Sequence, residues 1–413
     1  MHIKHLSLTN FRNYGRLELN LPVGPTLLHG ANAQGKTNLL EAIYYLATTK
    51  SSHADQDHQL INWEALDPKE PIVVGKLIAQ LETNQGQNIV EMRLIKETQR
   101  NQTTFRRQAL VDKRKVRLMD LLGNLRVVLF LPQDVQIITG APSLRRRYLD
   151  ITLCQTDRDY CRALSAYNKV LEQRNALLRR IAEFGVGLDL LPVYTEKLTN
   201  LGSHIFARRA SFVSALGRQA QNIHFESLTD GRETLRLHYL PNLSTNNNHR
   251  TDDSSLNEVI KLGQWLEAQA DQGAIEERFI EALEEVQEVD IASGSTRIGP
   301  HRDDWHFWVS GRNLKNYGSR GQQRTALLAL KLAEISWMDE ETGEAPILLL
   351  DEVVAELDEH RRALLLETVQ EVSQTILTAT DPNMFTEAFL ETATLMHVEA
   401  GQIRPDRKEA IKS

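Results

Sequence analysis

The sequence predicts an α/β fold whose main sheet domain is assembled from two separated segments, with a mainly helical second domain inserted between them. Three observations carry this. Gly30-Ala31-Asn32-Ala33-Gln34-Gly35-Lys36-Thr37 is a glycine-rich turn between a short apolar run, 25–29, and a helical pattern, 38–46. Pro346-Ile347-Leu348-Leu349-Leu350-Asp351-Glu352 reads as a fully buried parallel strand that ends in two acids. Between them, from about Ser143, the texture changes to Leu-, Arg- and Ala-rich stretches with helical periodicity.

The first run fits G-x-x-x-x-G-K-[ST], and strand, loop, helix is the order its chemistry requires. Glycines let backbone N–H groups curl around a phosphate, and the helix N-terminus adds partial positive charge. Lys36 is placed to reach the β- and γ-phosphates, and the Thr37 hydroxyl to ligate Mg²⁺. Asp351 is the matching acid for the metal, and Glu352 the group to polarise an attacking water. Lys36 and Asp351 are 315 residues apart, so something large divides the two halves of one site.

The remaining elements follow in order. Residues 2–8 and 17–21 alternate and read as strands around the turn Phe11-Arg12-Asn13-Tyr14. Residues 71–81 and 89–95 read as a hairpin turning at 84–87, and 126–131 as a buried strand stopped by Pro132. Helix is expected over 143–183, 193–226 and 256–290, with a polar low-complexity loop at 241–255. The acidic stretch 276–290 is a solvated helix face or a surface for a basic partner. Gly185, Gly187, Pro192 and Gly202 interrupt any heptad run, which argues against a coiled-coil arm. The sheet pattern resumes at 304–309, so the expected domains are 1–140 plus 295–413 and, inserted, 141–294.

Composition bounds the class. The 413 residues suffice for two or three compact units, and 41% hydrophobic with 25% charged residues is ordinary for a globular chain. No apolar run approaches a membrane span and no signal core opens the chain, so a cytoplasmic location is expected. The two cysteines, Cys154 and Cys161, would lie about 10 Å apart on one helix, too far for a disulfide, and they are too few for a cysteine zinc site. A net charge of −7 leaves any nucleic-acid contact to local patches. Two are present: Arg100, Arg106, Arg107, Lys113, Arg114, Lys115 and Arg117; and the triplet Arg145-Arg146-Arg147. The triplet reads more readily as a structural buttress at the domain junction.

Tyr317-Gly318-Ser319-Arg320-Gly321-Gln322-Gln323 precedes a long helix, and Ser319 with Gln322 has capping-box spacing. The same residues match S-x-G-Q, the signature loop of ABC-type ATPases. Ala355-Glu356-Leu357-Asp358 resembles the D-loop, and Thr380 stands where those ATPases usually carry a switch histidine.

Together these motifs resemble the RecF family of bacterial recombination mediators, relatives of the SMC-type ATPases. The resemblance spans nearly the whole chain. It rests on Asn10–Tyr14, Asn32–Glu41, Phe130–Asp134, Arg145–Asp150, Arg297–Asp304 and Gly321–Arg324. Gln133 stands where the family has Glu, and Ala355 where Ser is usual. The resemblance implies an ABC/SMC-like P-loop ATPase head that binds ATP and Mg²⁺, forms a homodimer around ATP, binds single-stranded or gapped DNA, and hydrolyses ATP slowly. It implies work in replication, gap repair and the SOS response, with RecR and RecO as partners. Each site would take Lys36, Thr37, Asp351 and Glu352 from one chain and Ser319, with Gly321 and Gln322, from the other. Arg12 and Asn13 would touch phosphates, and Gln133 would sense Mg²⁺ or water. Three rivals are a DNA-binding module using ATP only as dimer glue, a transporter-type ATPase and an ATPase-nuclease.

Overall fold

The computed structural model describes residues 1–54, 56–66, 70–99, 102–244, 253–268 and 271–406. The chain divides into two compact units, Met1–Asp134 with Glu334–Ser413, and Val135–Ala333.

The first unit opens with β1 (His2–Phe11), β2 (Tyr14–Asn20), β3 (Gly24–His29) and α1 (Lys36–Thr48). It continues with β4 (Ile72–Thr83), β5 (Gly86–Gln99), β6 (Gln102–Val111), β7 (Arg114–Val116), α2 (Leu118–Leu121) and β8 (Val127–Phe130). The second unit contains α3 (Gln136–Thr139), α4 (Pro142–Thr156), α5 (Arg158–Phe184), α6 (Leu191–Asn222), β9 (Leu235–Leu240), α7 (Asp253–Ala268), α8 (Gln272–Glu285) and α9 (Gln287–Ser293). Next come β10 (Asp304–Val309), β11 (Arg312–Asn313), α10 (Leu314–Tyr317) and α11 (Arg320–Thr342). The first unit resumes with β12 (Ile347–Asp351), α12 (Glu359–Glu371), β13 (Gln374–Ala379), α13 (Glu387–Thr392), β14 (Thr394–Glu399) and β15 (Gln402–Pro405).

Two six-stranded sheets build the first unit. One is antiparallel, in the order β2-β1-β4-β5-β6-β7. The other runs β15-β14-β3-β13-β12-β8 and is parallel except for β15. Every residue of β8, β12 and β13 is buried, which explains the apolar runs 127–130 and 347–350, while β13 buries the polar Gln374, Thr375 and Thr378 as well. One hydrophobic core joins the sheets: Ile3, Leu6, Leu8 and Leu77 pack with Leu39, Ile43, Leu349 and Ile376. Gln374, fully buried, bridges them by accepting from Ile3 N–H at 2.8 Å and donating to the Ile3 and Pro22 carbonyls at 3.0 and 2.9 Å. The N-terminal ammonium (3.1 Å) and Arg126 (2.8 Å) share the buried Glu344 carboxylate, tying the two segments of this unit together.

The second unit is built on the helical hairpin α5–α6, which turns at Gly185 and Gly187, both with positive φ. Gly202 does not interrupt α6. A Cβ there would stand 2.5 Å from the Phe279 ring, so glycine serves close helix packing instead. This unit also holds a three-stranded sheet, β11-β10-β9. Asp304–Val309 pairs residue for residue with Leu235–Leu240, and this pairing draws 295–333 into the second unit. The division therefore falls at 134/135 and 333/334, against the expected 140/141 and 294/295. Of the expected loop at 241–255, residues 245–252 lie outside the described residues.

The cysteines do not share a helix. A break at Asp157 separates α4 from α5, and across it the Cys154 and Cys161 thiols come within hydrogen-bonding reach of each other. Both are buried and neither forms a disulfide, and the 10 Å separation expected on one helix does not hold.

Candidate functional site

In a parallel sheet the carboxyl ends of the strands face a common edge, where ligands gather. Here that edge brings together His29 at the end of β3, Asp351 at the end of β12 and Thr378 near the end of β13. The loop 30–35 leaves β3 and enters α1 at Gly35, where no side chain caps the helix. Its first-turn N–H groups are thus left for a ligand. Gly30 (φ 143°), Ala33 (φ 63°) and Gly35 (φ 120°) curl the loop. A Cβ on Gly30 would stand 2.4 Å from the Val398 carbonyl, and one on Gly35 would stand 2.6 Å from the Asn13 amide, so both positions require glycine.

The loop, with Glu352, encloses a cavity of about 220 Å³ lined by Asn32, Ala33, Gly35, Lys36, Thr37, Asn38 and Glu352. The Lys36 ammonium is buried and donates to the Gly30 and Ala31 carbonyls at 2.8 and 3.1 Å, with the Glu352 carboxylate 3.4 Å away. A buried cation held chiefly by neutral carbonyls in a cavity edged with free amides is arranged for an anion. The Thr37 hydroxyl donates to Asp351 Oδ1 at 3.0 Å. The Thr378 hydroxyl donates to the same oxygen at 2.7 Å and accepts from Glu352 N–H at 3.0 Å. Hydroxyl and carboxylate are hard oxygen donors, the set that suits Mg²⁺. Glu352 has φ 54°, a left-handed conformation uncommon for a residue with a side chain.

Arg12, Asn13 and Gln133 are placed differently. Arg12 is held in a bidentate pair by the buried Glu41, at 2.7 and 2.9 Å, and also donates to the Gln59 carbonyl at 3.2 Å. Asn13 braces the loop, donating to the Gln34 carbonyl at 2.9 Å and accepting from Asn38 at 2.7 Å. Gln133 is exposed, outside the cavity lining, with its amide 3.3 Å from His53. The Tyr14 hydroxyl donates to the Gly35 carbonyl at 2.9 Å, and burial pushes its phenol well above the usual range, keeping it a donor. Tyr14 and Glu41 fall within the sequence motifs without a role of their own there, and no motif singles out Thr378. Aligning the two buried strands at their polar ends is the signal that places Thr378 beside Asp351.

Ser319, Gly321 and Gln322 lie in the second unit. The capping box is complete: Gln322 N–H donates to Ser319 Oγ at 3.2 Å, and Ser319 N–H to Gln322 Oε1 at 3.0 Å. Gln322 Nε2 also donates to Glu233 at 2.7 Å, while Gln323 ties back to the Leu314 and Gly318 carbonyls. Ser319 and Gly321 are exposed at the start of α11, with Tyr317 beside them 73% exposed.

The Gly299–Asp304 run forms a buried polar core inside the second unit. Arg209 donates to both Asp303 oxygens (2.7 and 2.8 Å), to Asp150 (2.6 Å), to the Tyr160 hydroxyl (2.9 Å) and to the Pro300 carbonyl (2.6 Å). Burial pushes the Asp303 carboxyl up, while Arg209 and the Tyr239 hydroxyl, which donates to it, hold it back. Arg145 grips Asp304 at 2.6 and 2.9 Å. Burial opposes ionisation of Asp304, but His306 and Arg145 outweigh it and hold the carboxyl below the usual range. Arg146 donates to the Asp303 carbonyl at 2.7 Å. The buttress expected of Arg145 and Arg146 therefore lies within the second unit.

The comparisons with known proteins agree along the full chain. The family model for the RecF/RecN/SMC N-terminal domain matches residues 2–404. A DNA replication and repair protein RecF from Roseiflexus castenholzii is 39% identical over 98% of this chain and 100% of its own length. The chain belongs to the RecF family. A RecF from Exiguobacterium is 36% identical, again over 98% of this chain and 100% of the relative. A structure of the recombination mediator RecF with ATP superposes with a TM-score of 0.80 at 29% identity, covering 98% of both chains. An Smc head bound to the C-terminal winged-helix domain of ScpA, at 16% identity and TM-score 0.51, shares the fold. The fold is thus the α/β ABC/SMC ATPase head. Among the described residues no helix is long and apolar enough to cross a membrane.

Proposed function

We propose that this chain is an ATP-dependent DNA-binding protein of replication and repair that dimerises on ATP and is reset by slow hydrolysis. The observation that carries it is the meeting of Lys36, Thr37 and Glu352 around one cavity, with Asp351 bonded to Thr37, from segments 315 residues apart. In this reading the amides at the start of α1 and Lys36 hold the phosphates, releasing the lysine from the Gly30 and Ala31 carbonyls. Thr37 and Asp351 would hold Mg²⁺, which when bound neutralises phosphate charge. Glu352 is freed from Lys36 as phosphate takes its place, and its carboxylate then orients water for in-line attack. Ser319 and the start of α11 complete the site from a second copy. They are exposed, and although the capping box occupies the Ser319 and Gln322 N–H groups, it leaves the Ser319 hydroxyl hydrogen free to donate to an anion.

DNA contact is assigned to the β6–β7 edge. Lys113, Arg114 and Lys115 are exposed there, as is Arg106 at 61%. Arg107 is engaged by Asp57 and the Thr49 carbonyl, and Arg100 lies outside the described residues. Such contacts are salt-sensitive and independent of sequence. The DNA is single-stranded or gapped duplex. RecR and RecO are the proposed partners, the SOS response and gap repair the setting, and the cytoplasm the location.

The test is light scattering of the chain and its Lys36→Met variant, with and without ATP–Mg²⁺ and a gapped duplex. ATP-dependent dimers on DNA from the unaltered chain alone support the proposal. A monomer in every condition, or equal DNA binding by both proteins, contradicts it.

A further inference from the structure

The phosphate loop has no regular structure of its own between β3 and α1, and three of its residues carry positive φ. Its conformation must therefore be imposed from outside. The end of the sheet supplies that hold from residues far along the chain. Strand β14 lies parallel to β3 with His397 opposite His29, and the chain then turns through Ala400 (φ 46°) and Gly401 (φ 71°) into β15.

This turn grips Gln34 twice. Ala400 N–H donates to the Gln34 side-chain oxygen at 2.7 Å, and Gly401 N–H donates to the Gln34 backbone carbonyl at 3.0 Å. Backbone packs on backbone at both ends of the contact. A Cβ on Gly401 would lie 2.6 Å from the Asn13 carbonyl, and a Cβ on Gly30 2.4 Å from the Val398 carbonyl. Past β15, Asp406 pairs with His29 Nε2 at 2.6 Å, and the His29 ring meets His397 at a centroid distance of 5.1 Å. His29 immediately precedes Gly30. The loop is thus held at its entrance by Asp406, backed at its first residue by Val398 and gripped near its far end by the turn.

We propose that the 399–402 turn with Asp406 is a positioning element of the nucleotide site, presetting the loop's amides in their anion-binding arrangement before ligand arrives. None of these residues lines the cavity, so their effect passes through Gln34, Gly30 and His29. A preset cradle spares the ordering cost of the loop on binding, so its loss weakens ground-state affinity rather than the chemical step. The inference rests on the reading of 30–37 as the ATP phosphate cradle.

The experiment uses the full chain with Gly401→Ala, Asp406→Asn and the conservative Asp406→Glu. Amide hydrogen exchange across 30–37 is measured without nucleotide, alongside KM for ATP, kcat and the melting midpoint. Gly401→Ala is expected to speed loop exchange and raise KM about tenfold with kcat within about twofold, and Asp406→Asn to do the same to a smaller degree. Asp406→Glu should stay near the parent. If Gly401→Ala does not fold, Asp406→Asn carries the test. Unchanged exchange and KM with a lowered melting midpoint would show a purely structural turn and overturn the proposal. A parent chain whose ATP binding does not need Lys36 would instead remove the underlying reading, an outcome the nucleotide-free exchange data keep separate.

Discussion

Replacing Thr378 by valine tests how the acidic pair is held. The side chain is 1% exposed and valine matches its shape, so the change removes a hydroxyl and little else. That hydroxyl donates to Asp351 Oδ1 at 2.7 Å and accepts from Glu352 N–H at 3.0 Å. Leaving a largely buried N–H without an acceptor costs about 1–3 kcal/mol, and losing a hydrogen bond to a carboxylate about 1.5–3 kcal/mol. The Thr37 bond to the same oxygen offsets part of the second loss. A net destabilisation of about 2–4 kcal/mol is expected in urea unfolding of the full chain. Asp351 and the left-handed Glu352 lose their common anchor, so ATP turnover at saturating Mg²⁺ should fall about 10- to 100-fold, as for other groups that orient metal ligands. Thr378→Ser retains the hydroxyl and should recover most of both. Stability lost with turnover and metal dependence unchanged would refute the reasoning, because Asp351 and Glu352 would then be oriented without Thr378.

Other consequences follow from the same geometry. Glu352→Gln should leave ATP binding intact while ATP-bound dimers persist on DNA, seen as a dissociation slowed about 100-fold or more; unchanged release favours ATP as dimer glue. Changing Lys113, Arg114 and Lys115 together to Ala should lower the slope of log binding constant against log salt by about 0.7–0.9 for each phosphate no longer neutralised, and an unaltered slope places the DNA elsewhere. Burial lowers the His301 pKa from its ordinary value to about 4, while its acceptor, the Thr296 carbonyl, works the other way. The unfolded chain then binds the proton more readily, so this contribution to stability is complete above about pH 6.5 and is lost as pH falls toward 4, by roughly 3 kcal/mol in all. His301→Asn should flatten the stability profile across that window, and an unchanged profile would assign it to other groups such as His238.

The fold was most legible where local chemistry suffices. The loop 30–37 carries its backbone requirement in its glycines, the strand 347–351 carries its burial on both faces in an unbroken apolar run, and the Ser319–Gln322 cap is a matter of three-residue spacing. What could not be read depends on partners brought together by tertiary structure. Arg12 resembles a phosphate ligand until the buried Glu41 is seen to hold it in a two-pronged pair. Strand β10 reads as a return to the first sheet, yet β9 claims it, because the alternating pattern of 304–309 does not say which strand will pair with it. Gly202 reads only as an interruption of a heptad run, whereas its missing Cβ makes room for Phe279. The separation of Cys154 and Cys161 fails because the Asp157 side chain caps a new helix there instead of continuing the old one. The Gly299–Asp304 run had no derivable task from sequence, since its carboxylates acquire meaning only beside Arg145 and Arg209.

The central claim is that each site is shared by two chains, and mixing two inactive variants tests it most directly. Lys36→Met destroys the phosphate-loop half, and Ser319→Arg blocks the signature half with a large side chain at an exposed position. In a mixed dimer one site would combine the intact Lys36 of one chain with the intact Ser319 of the other, while the second site carries both defects. ATP hydrolysis on gapped DNA should therefore reappear on mixing, although each variant alone is inactive. If the mixture stays as inactive as its components while mixed dimers form, or if Ser319→Arg alone hydrolyses ATP like the parent, the shared site is contradicted.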